Sequence, residues 1–235
     1  MAARAPVDVS ENYRAVRDRV ADACRRVRRD PSAVTLVAVS KGMAAAAVRA
    51  ALDAGARDFG ENYVQEWELK RAALADVAGL AWHFIGRAQR NKAGAIAEFA
   101  LVHSVGDERI AHALDASARQ RNTQLGVLVQ VNVAAEPTKS GVAPADVPRL
   151  LESMRRLSGL RVVGLMTIPP PLAPETMRPF FAALRELRDR QEDARGLAQL
   201  SMGMSADFEV AIEEGATLVR VGTAIFGARP PKEEA

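Results

Sequence analysis

Val34-Thr35-Leu36-Val37-Ala38-Val39-Ser40 is an apolar, β-branched run that stops at Lys41 and gives way to an amphipathic stretch from Ala44 to Ala54. Short runs of this kind read as strands and longer periodic ones as helices, so the two segments form one β/α unit. The unit repeats along the chain. Further strand candidates are Asp58 to Gly60, Trp82 to Ile85, Leu101 to Ser104, Val127 to Val131, Arg161 to Leu165, Gln199 to Ser201 and Leu218 to Val221. Helical patterns lie between them, among them Glu61 to Leu74, Glu108 to Arg121, Ala145 to Leu157, Glu175 to Arg190 and Asp207 to Glu214. About eight alternating units, with no long linker and no shift in composition, predict a closed parallel (β/α)8 barrel of the TIM type. An extra helix from Ser10 to Arg29, ended by Pro31, precedes the first strand. The expected organisation is a single barrel domain over residues 1–235, with residues 1–30 as an N-terminal helix and 230–235 as a flexible tail. A doubly wound open sheet is the alternative with the same alternation.

Barrels of this type carry their sites at the C-terminal ends of the strands, and polar residues collect there. Ser40-Lys41 follows the first strand, Glu61-Asn62 the second, Gly86 the third, Asn132 the fifth, Met166-Thr167 the sixth, Met202 to Ser205 the seventh and Gly222-Thr223 the eighth. Lys41 stands out because the basic residues are 27 Arg and only five Lys: Lys41, Lys70, Lys92, Lys139 and Lys232. Arginine stays protonated, whereas an amine withdrawn from water becomes a nucleophile toward an aldehyde. Position alone does not separate that role from a solvated strand-end lysine.

Two glycine turns near the C-terminus offer backbone N–H groups to an anion. One is Met202-Gly203-Met204-Ser205-Ala206-Asp207, with the Ser205 hydroxyl as an extra donor; the other is Gly222-Thr223-Ala224. Neighbouring barrel strands would bring them together, in a place where this fold often binds phosphate. Either turn alone is equally an ordinary loop with a helix cap. Arg220 shares a strand face with Leu218 and Gly222, which directs it into the barrel. A charge there needs a ligand or a partner, and Glu61 is one acid that would pair with it.

The 235 residues, 49% hydrophobic and 26% charged, fit a globular chain and exclude collagenous and disordered classes. No apolar run approaches the roughly 20 residues of a membrane span. Met1 to Ser10 lacks the apolar stretch of a secretory signal, so a cytoplasmic location is expected. The single cysteine, Cys24, fits a reducing compartment. A net charge of +3 points weakly toward a polyanion, but charges of both signs are interspersed and no nucleic-acid motif accompanies them. The expectation is therefore no nucleic acid and no membrane partner. His83, His103 and His112 are too scattered in sequence to imply a metal site. Pro169-Pro170-Pro171 with Pro174 reads as a rigid loop on the active face.

Seven ordered blocks then carry a resemblance. They are Val37-Ala38-Val39-Ser40-Lys41; Asp58 to Glu66; Trp82-His83-Phe84-Ile85-Gly86 with Gln89 and Asn91-Lys92; Gln130-Val131-Asn132 with Thr138-Lys139-Ser140-Gly141; Gly164 to Pro169; Leu200 to Ser205; and Val219 to Gly227. From about Val34 to Arg229 the chain resembles the pyridoxal 5'-phosphate (PLP) homeostasis protein family. The resemblance implies a barrel similar to the alanine racemase N-terminal domain and a role in holding and delivering PLP, with no established turnover reaction. It implies a Schiff base at Lys41, phosphate contacts from Ser205, Gly222 and Thr223, and Arg220 facing the pyridine nitrogen. Asn62, Met166 and Ser201 would line the site. Gly42-Met43-Ala44 and Arg87 depart from the family pattern, where a Thr-Lys-Pro-like continuation and a proline are usual.

Lys139 is a further candidate, for secondary contact with PLP or its phosphate; a plain loop charge is the other reading. The implied partners are PLP and, transiently, PLP-dependent apoenzymes, with the chain as a monomer. The enzymatic alternative is a PLP-dependent amino-acid racemase. Alanine-racemase chemistry needs a second base, and the chain's tyrosines are Tyr13 and Tyr63. A permanent cation at Arg220 would also weaken the ring as an electron sink. A polyanion-binding protein is the alternative from another class.

Overall fold

Strand periodicity and helix periodicity alternate from one end of the chain to the other, and the sheet they build closes on itself. The computed structural model describes residues 7–136 and 139–228. Thr138 and the 230–235 tail lie outside the described residues. In chain order the elements are α1 (Val9–Arg26), β1 (Thr35–Val39), α2 (Ala45–Asp53), β2 (Asp58–Glu61), α3 (Val64–Ala73), β3 (Ala81–Phe84), α4 (Ala93–Ile96), β4 (Leu101–Val105), α5 (Glu108–Gln120), β5 (Leu125–Gln130), α6 (Val147–Met154), β6 (Leu160–Met166), α7 (Pro174–Asp189), β7 (Gln199–Ser201), α8 (Phe208–Glu213), β8 (Leu218–Val221) and α9 (Thr223–Phe226). All eight strand candidates are present. They form a closed parallel barrel in sequence order, with β8 returning to β1 through Thr35↔Leu218 and Val37↔Arg220. Closure rules out the open doubly wound sheet.

Each strand is covered on its outer side. The main core lies between sheet and helices and includes Phe59, Trp67, Phe181 and Phe208. A smaller apolar cluster of Val37, Leu128, Met166 and Leu218 fills the lumen, as alternating side chains of a small barrel must. A Cβ on Gly60 would sit 3.0 to 3.4 Å from Ile85, Val37 and Val39, so Gly60 faces the lumen and its neighbour Glu61 faces α3. This explains one boundary difference: Glu61 closes β2 instead of opening the following helix.

Helix α1 is the extra element. Its N-cap Asp8 accepts a hydrogen bond from the Glu11 N–H, and its buried stripe of Val9, Tyr13, Val16, Val20, Ala23 and Cys24 packs against α2, α8 and α9. It ends three residues before the expected Arg29, at a turn with Arg28 in the left-handed region, φ 56. Arg29 then donates to the carbonyls of Ile212 and Ala216, tying the turn to α8. Since α9 is one turn long, α1 supplies the cover that a full helix after β8 would give. No helix among the described residues is long and apolar enough to cross a membrane.

Candidate functional site

The chain leaves β1 through Ser40 and half-buried Lys41, and then turns at Gly42, whose φ of +73 suits glycine. Both peptides that flank Lys41 are pinned by α3. Lys70 Nζ donates to the Ser40 carbonyl at 2.7 Å, and the Gly42 N–H donates to Glu66 Oε2 at 2.6 Å. Beneath them Glu61 Oε1 accepts from Lys70 Nζ and from Ser40 Oγ, each at 2.6 Å. Lys70 and Glu61 are both buried, with 5% and 0% of their surface exposed. Burial pushes the Glu61 carboxyl up, with Lys70 and Ser40 acting against it. The Gly42 departure thus makes a positive-φ turn that Glu66 holds, and the other departure, Arg87, is an exposed side chain.

Next to β1, Gly222 follows β8; a Cβ there would lie 3.3 Å from the Val39 carbonyl, two residues before Lys41. The Gly222 and Ala224 N–H groups point at Ser205 Oγ, at 3.2 and 3.3 Å. The two glycine turns therefore meet. Thr223 is exposed beside them. Gly203 makes the first turn at φ +90, where a Cβ would also lie 2.5 Å from that of Ala211. Asp207 Oδ1 accepts from the Met204 N–H at 2.6 Å and fixes the same loop.

Arg220 enters the lumen and is 4% exposed. Glu61 is not its partner: that acid is turned outward and held by Lys70. Arg220 instead donates from Nη1 to Ser201 Oγ at 2.6 Å and from Nη2 to the Thr167 carbonyl at 2.9 Å. Burial lowers its pKa to about 10, with Asp207 acting the other way, so it remains a cation at neutral pH. Met166 is fully buried in the lumen. Asn62 follows β2, and its Oδ1 is buried with no hydrogen-bond partner. The site residues from Met166 on β6 through β7, β8 and β1 to Asn62 after β2 thus occupy one continuous arc. Lys139 does not: it stands in the loop after β5, opposite β1 in the ring of eight.

His83 and His103 also come together. Their rings share a hydrogen bond of 2.9 Å inside the barrel, so distance in sequence concealed a contact in space, while His112 is exposed on α5. The signal was strand parity: in Trp82-His83-Phe84 the two aromatics face the outer core, and the histidine between them faces the lumen.

The donors fit a phosphorylated aromatic ligand. Two amides and a hydroxyl converge at one edge, an amine stands at a strand end, a buried cation forms the floor, and the Asn62 oxygen is unsatisfied. Comparison with known proteins places the chain in a class. The alanine racemase N-terminal domain family matches residues 12–230, which defines an alanine-racemase-type barrel. Within that class, the pyridoxal phosphate homeostasis protein of Pseudomonas aeruginosa is 50% identical, covering 94% of this chain and 96% of that protein. Its counterpart from Aquifex aeolicus is 43% identical, with 95% and 99% covered. The chain belongs to the pyridoxal phosphate homeostasis protein family. Among solved structures, PipY of Synechococcus elongatus with PLP bound has a TM-score of 0.78 and 38% identity, covering 90% of this chain and all of that one. Alanine racemase from Corynebacterium glutamicum, at 17% identity and a TM-score of 0.69, shares the fold.

Proposed function

We propose that this protein binds PLP at the mouth of the barrel and holds it in reserve for other proteins without turning over a substrate. The observation that carries this reading is the meeting of the Ser205, Gly222 and Ala224 donors with Val39 of the Ser40-Lys41 strand. Lys41 would hold the ligand covalently, its amine condensing with the aldehyde and releasing water. Ser205, Gly222 and Thr223, together with the Ala224 amide, would bind the phosphate. Arg220 would face the ring nitrogen; Ser201 fixes its guanidinium, Met166 closes the lumen below it, and Asn62 offers its unsatisfied oxygen. When bound, PLP supplies an electrophilic carbonyl and, if its ring nitrogen is protonated, an electron sink. A guanidinium gives up its proton too reluctantly to protonate that nitrogen well, which favours storage over carbanion chemistry. PLP titrated into wild type and into Lys41→Ala tests the reading: a visible chromophore that survives dialysis is expected of wild type alone, and its absence from both would refute it.

A racemase is the second reading, favoured by the shared fold. Against it, the two tyrosines that could serve as a second base stand elsewhere, Tyr13 buried in α1 and Tyr63 exposed at the start of α3. Loss of optical rotation from L-alanine incubated with the PLP-loaded protein would favour it. Lys139, across the mouth, would take up PLP or its phosphate transiently during release. Borohydride trapping in Lys41→Ala followed by peptide mapping tests that step, and an unlabelled Lys139 would refute it. We read the working form as a cytoplasmic monomer that meets PLP-dependent apoenzymes transiently and uses neither nucleic acid nor membrane.

A further inference from the structure

A line of four hydrogen bonds leads from Arg220 through the lumen to the far end of the barrel. Arg220 Nη1 lies 2.6 Å from Ser201 Oγ, and Ser201 Oγ lies 2.8 Å from His103 Nδ1. His103 Nε2 lies 2.9 Å from His83 Nδ1, and His83 Nε2 lies 3.0 Å from Asp58 Oδ1. The line runs down β8 and β7, crosses to β4 and β3, and ends on the first residue of β2. Ser201 and His103 are fully buried, whereas the Asp58 side chain is 33% exposed. A surface groove lined by Tyr13, Arg17, Arg57 and Asp58 opens onto that end. At the other end Asp207 is the acid that acts on Arg220.

Donor and acceptor counting gives the line one direction. A guanidinium only donates and a carboxylate only accepts, so Ser201 Oγ accepts from Arg220 and Asp58 accepts from His83 Nε2; with Nδ1 the acceptor in both rings, the one hydroxyl proton goes to His103 Nδ1. Burial, with His83 and Arg220 nearby, holds the His103 pKa well below its ordinary value, so the ring is neutral. A neutral ring that accepts at Nδ1 carries its proton on Nε2 and donates to His83 Nδ1. His83 then donates from Nε2 to the Asp58 carboxylate. The line starts on a cation and ends on an anion, and each bond polarises the next in the same sense. That is an economical way to satisfy a buried guanidinium whose direct partners, a hydroxyl and a carbonyl, are neutral.

We propose that His103, His83 and Asp58 are positioning residues for Arg220, a relay that lets a carboxylate at the far end of the barrel hold the guanidinium against the PLP ring nitrogen. The proposal rests on the assignment of Arg220 to that nitrogen. It is tested in two arms. Histidine 15N NMR of the ligand-free protein is expected to show the proton of each ring on Nε2; a proton on Nδ1 of either ring would overturn the relay. Binding is then compared for PLP and for an analogue with carbon in place of the ring nitrogen. His103→Leu is expected to weaken PLP about tenfold, and Asp58→Asn, at a partly exposed position, about fivefold. His103→Gln, which can both accept and donate, is expected to regain most of the loss. The analogue should bind all variants alike, because its ring gives Arg220 nothing to meet. Equal losses for both ligands would mean a purely structural role and would defeat the proposal. A wild type that binds neither ligand would defeat the PLP reading itself, while the tautomers would still decide the direction of the relay.

Discussion

Glycines separate two costs that the structure distinguishes at single positions. Gly79 has φ +77 and open space around its missing Cβ, whereas Gly203 has φ +90 and Ala211 2.5 Å away. Gly79→Ala should cost about 1 kcal/mol, the price of a left-handed residue alone. Gly203→Ala adds overpacking and should cost about 3 kcal/mol in total. Urea midpoints would check the difference, and equal losses would contradict it. Gly203 and Gly222 were legible in the sequence as turn residues near a site. So was Arg220, because strand parity alone aims it inward. Lys70 was not legible: within an amphipathic helix a lysine looks like surface charge, and only packing of α3 on β2 buries it against Glu61.

At the scale of elements, α3 acts as a clamp on the turn after β1. Removing the Lys70 amine leaves the Glu61 carboxylate buried without its cation, so Lys70→Met should cost about 3 to 5 kcal/mol. The double variant Lys70→Met/Glu61→Leu should recover much of that loss, because no buried charge is left unpaired. Chemical denaturation of both variants checks this, and a double variant no more stable than Lys70→Met would contradict it. A second tie joins α1, α7 and α8. Glu213 accepts from Arg178 and Arg26 at 2.8 Å each, and the hydrogen bond from Arg178, with Arg26 second to it, holds the Glu213 carboxyl below its ordinary pKa. A carboxylate whose pKa is depressed by folding stabilises the protein above its unfolded pKa and loses that contribution as pH falls through the folded value. Glu213→Gln should therefore cost about 1 kcal/mol at neutral pH. It should also flatten the fall in stability on acidification. Helix ends were only partly legible for the same kind of reason: Glu61 went to a strand and Arg29 to the turn after α1 through contacts with distant segments.

On the scale of the whole molecule, barrel order brings distant motifs to one arc of the barrel mouth. Lys41 and Gly222 are far apart in sequence, yet closure of β8 on β1 puts them at neighbouring strand ends. That much followed from counting β/α units. The lumen relay did not, because it joins residues on β2, β3, β4, β7 and β8 whose register is set by the closed sheet. Outside the closed sheet α1 covers α2, α8 and α9, so a chain beginning after Arg26 would expose their apolar faces and is expected to aggregate, which size-exclusion chromatography would reveal. The central claim is covalent holding of PLP at one lysine. Its most direct test is borohydride reduction of the PLP-incubated wild type, followed by mass spectrometry of its peptides. A phosphopyridoxyl group on Lys41 is expected, with Lys41→Ala unlabelled at that site; a folded wild type left unmodified at Lys41 would contradict it.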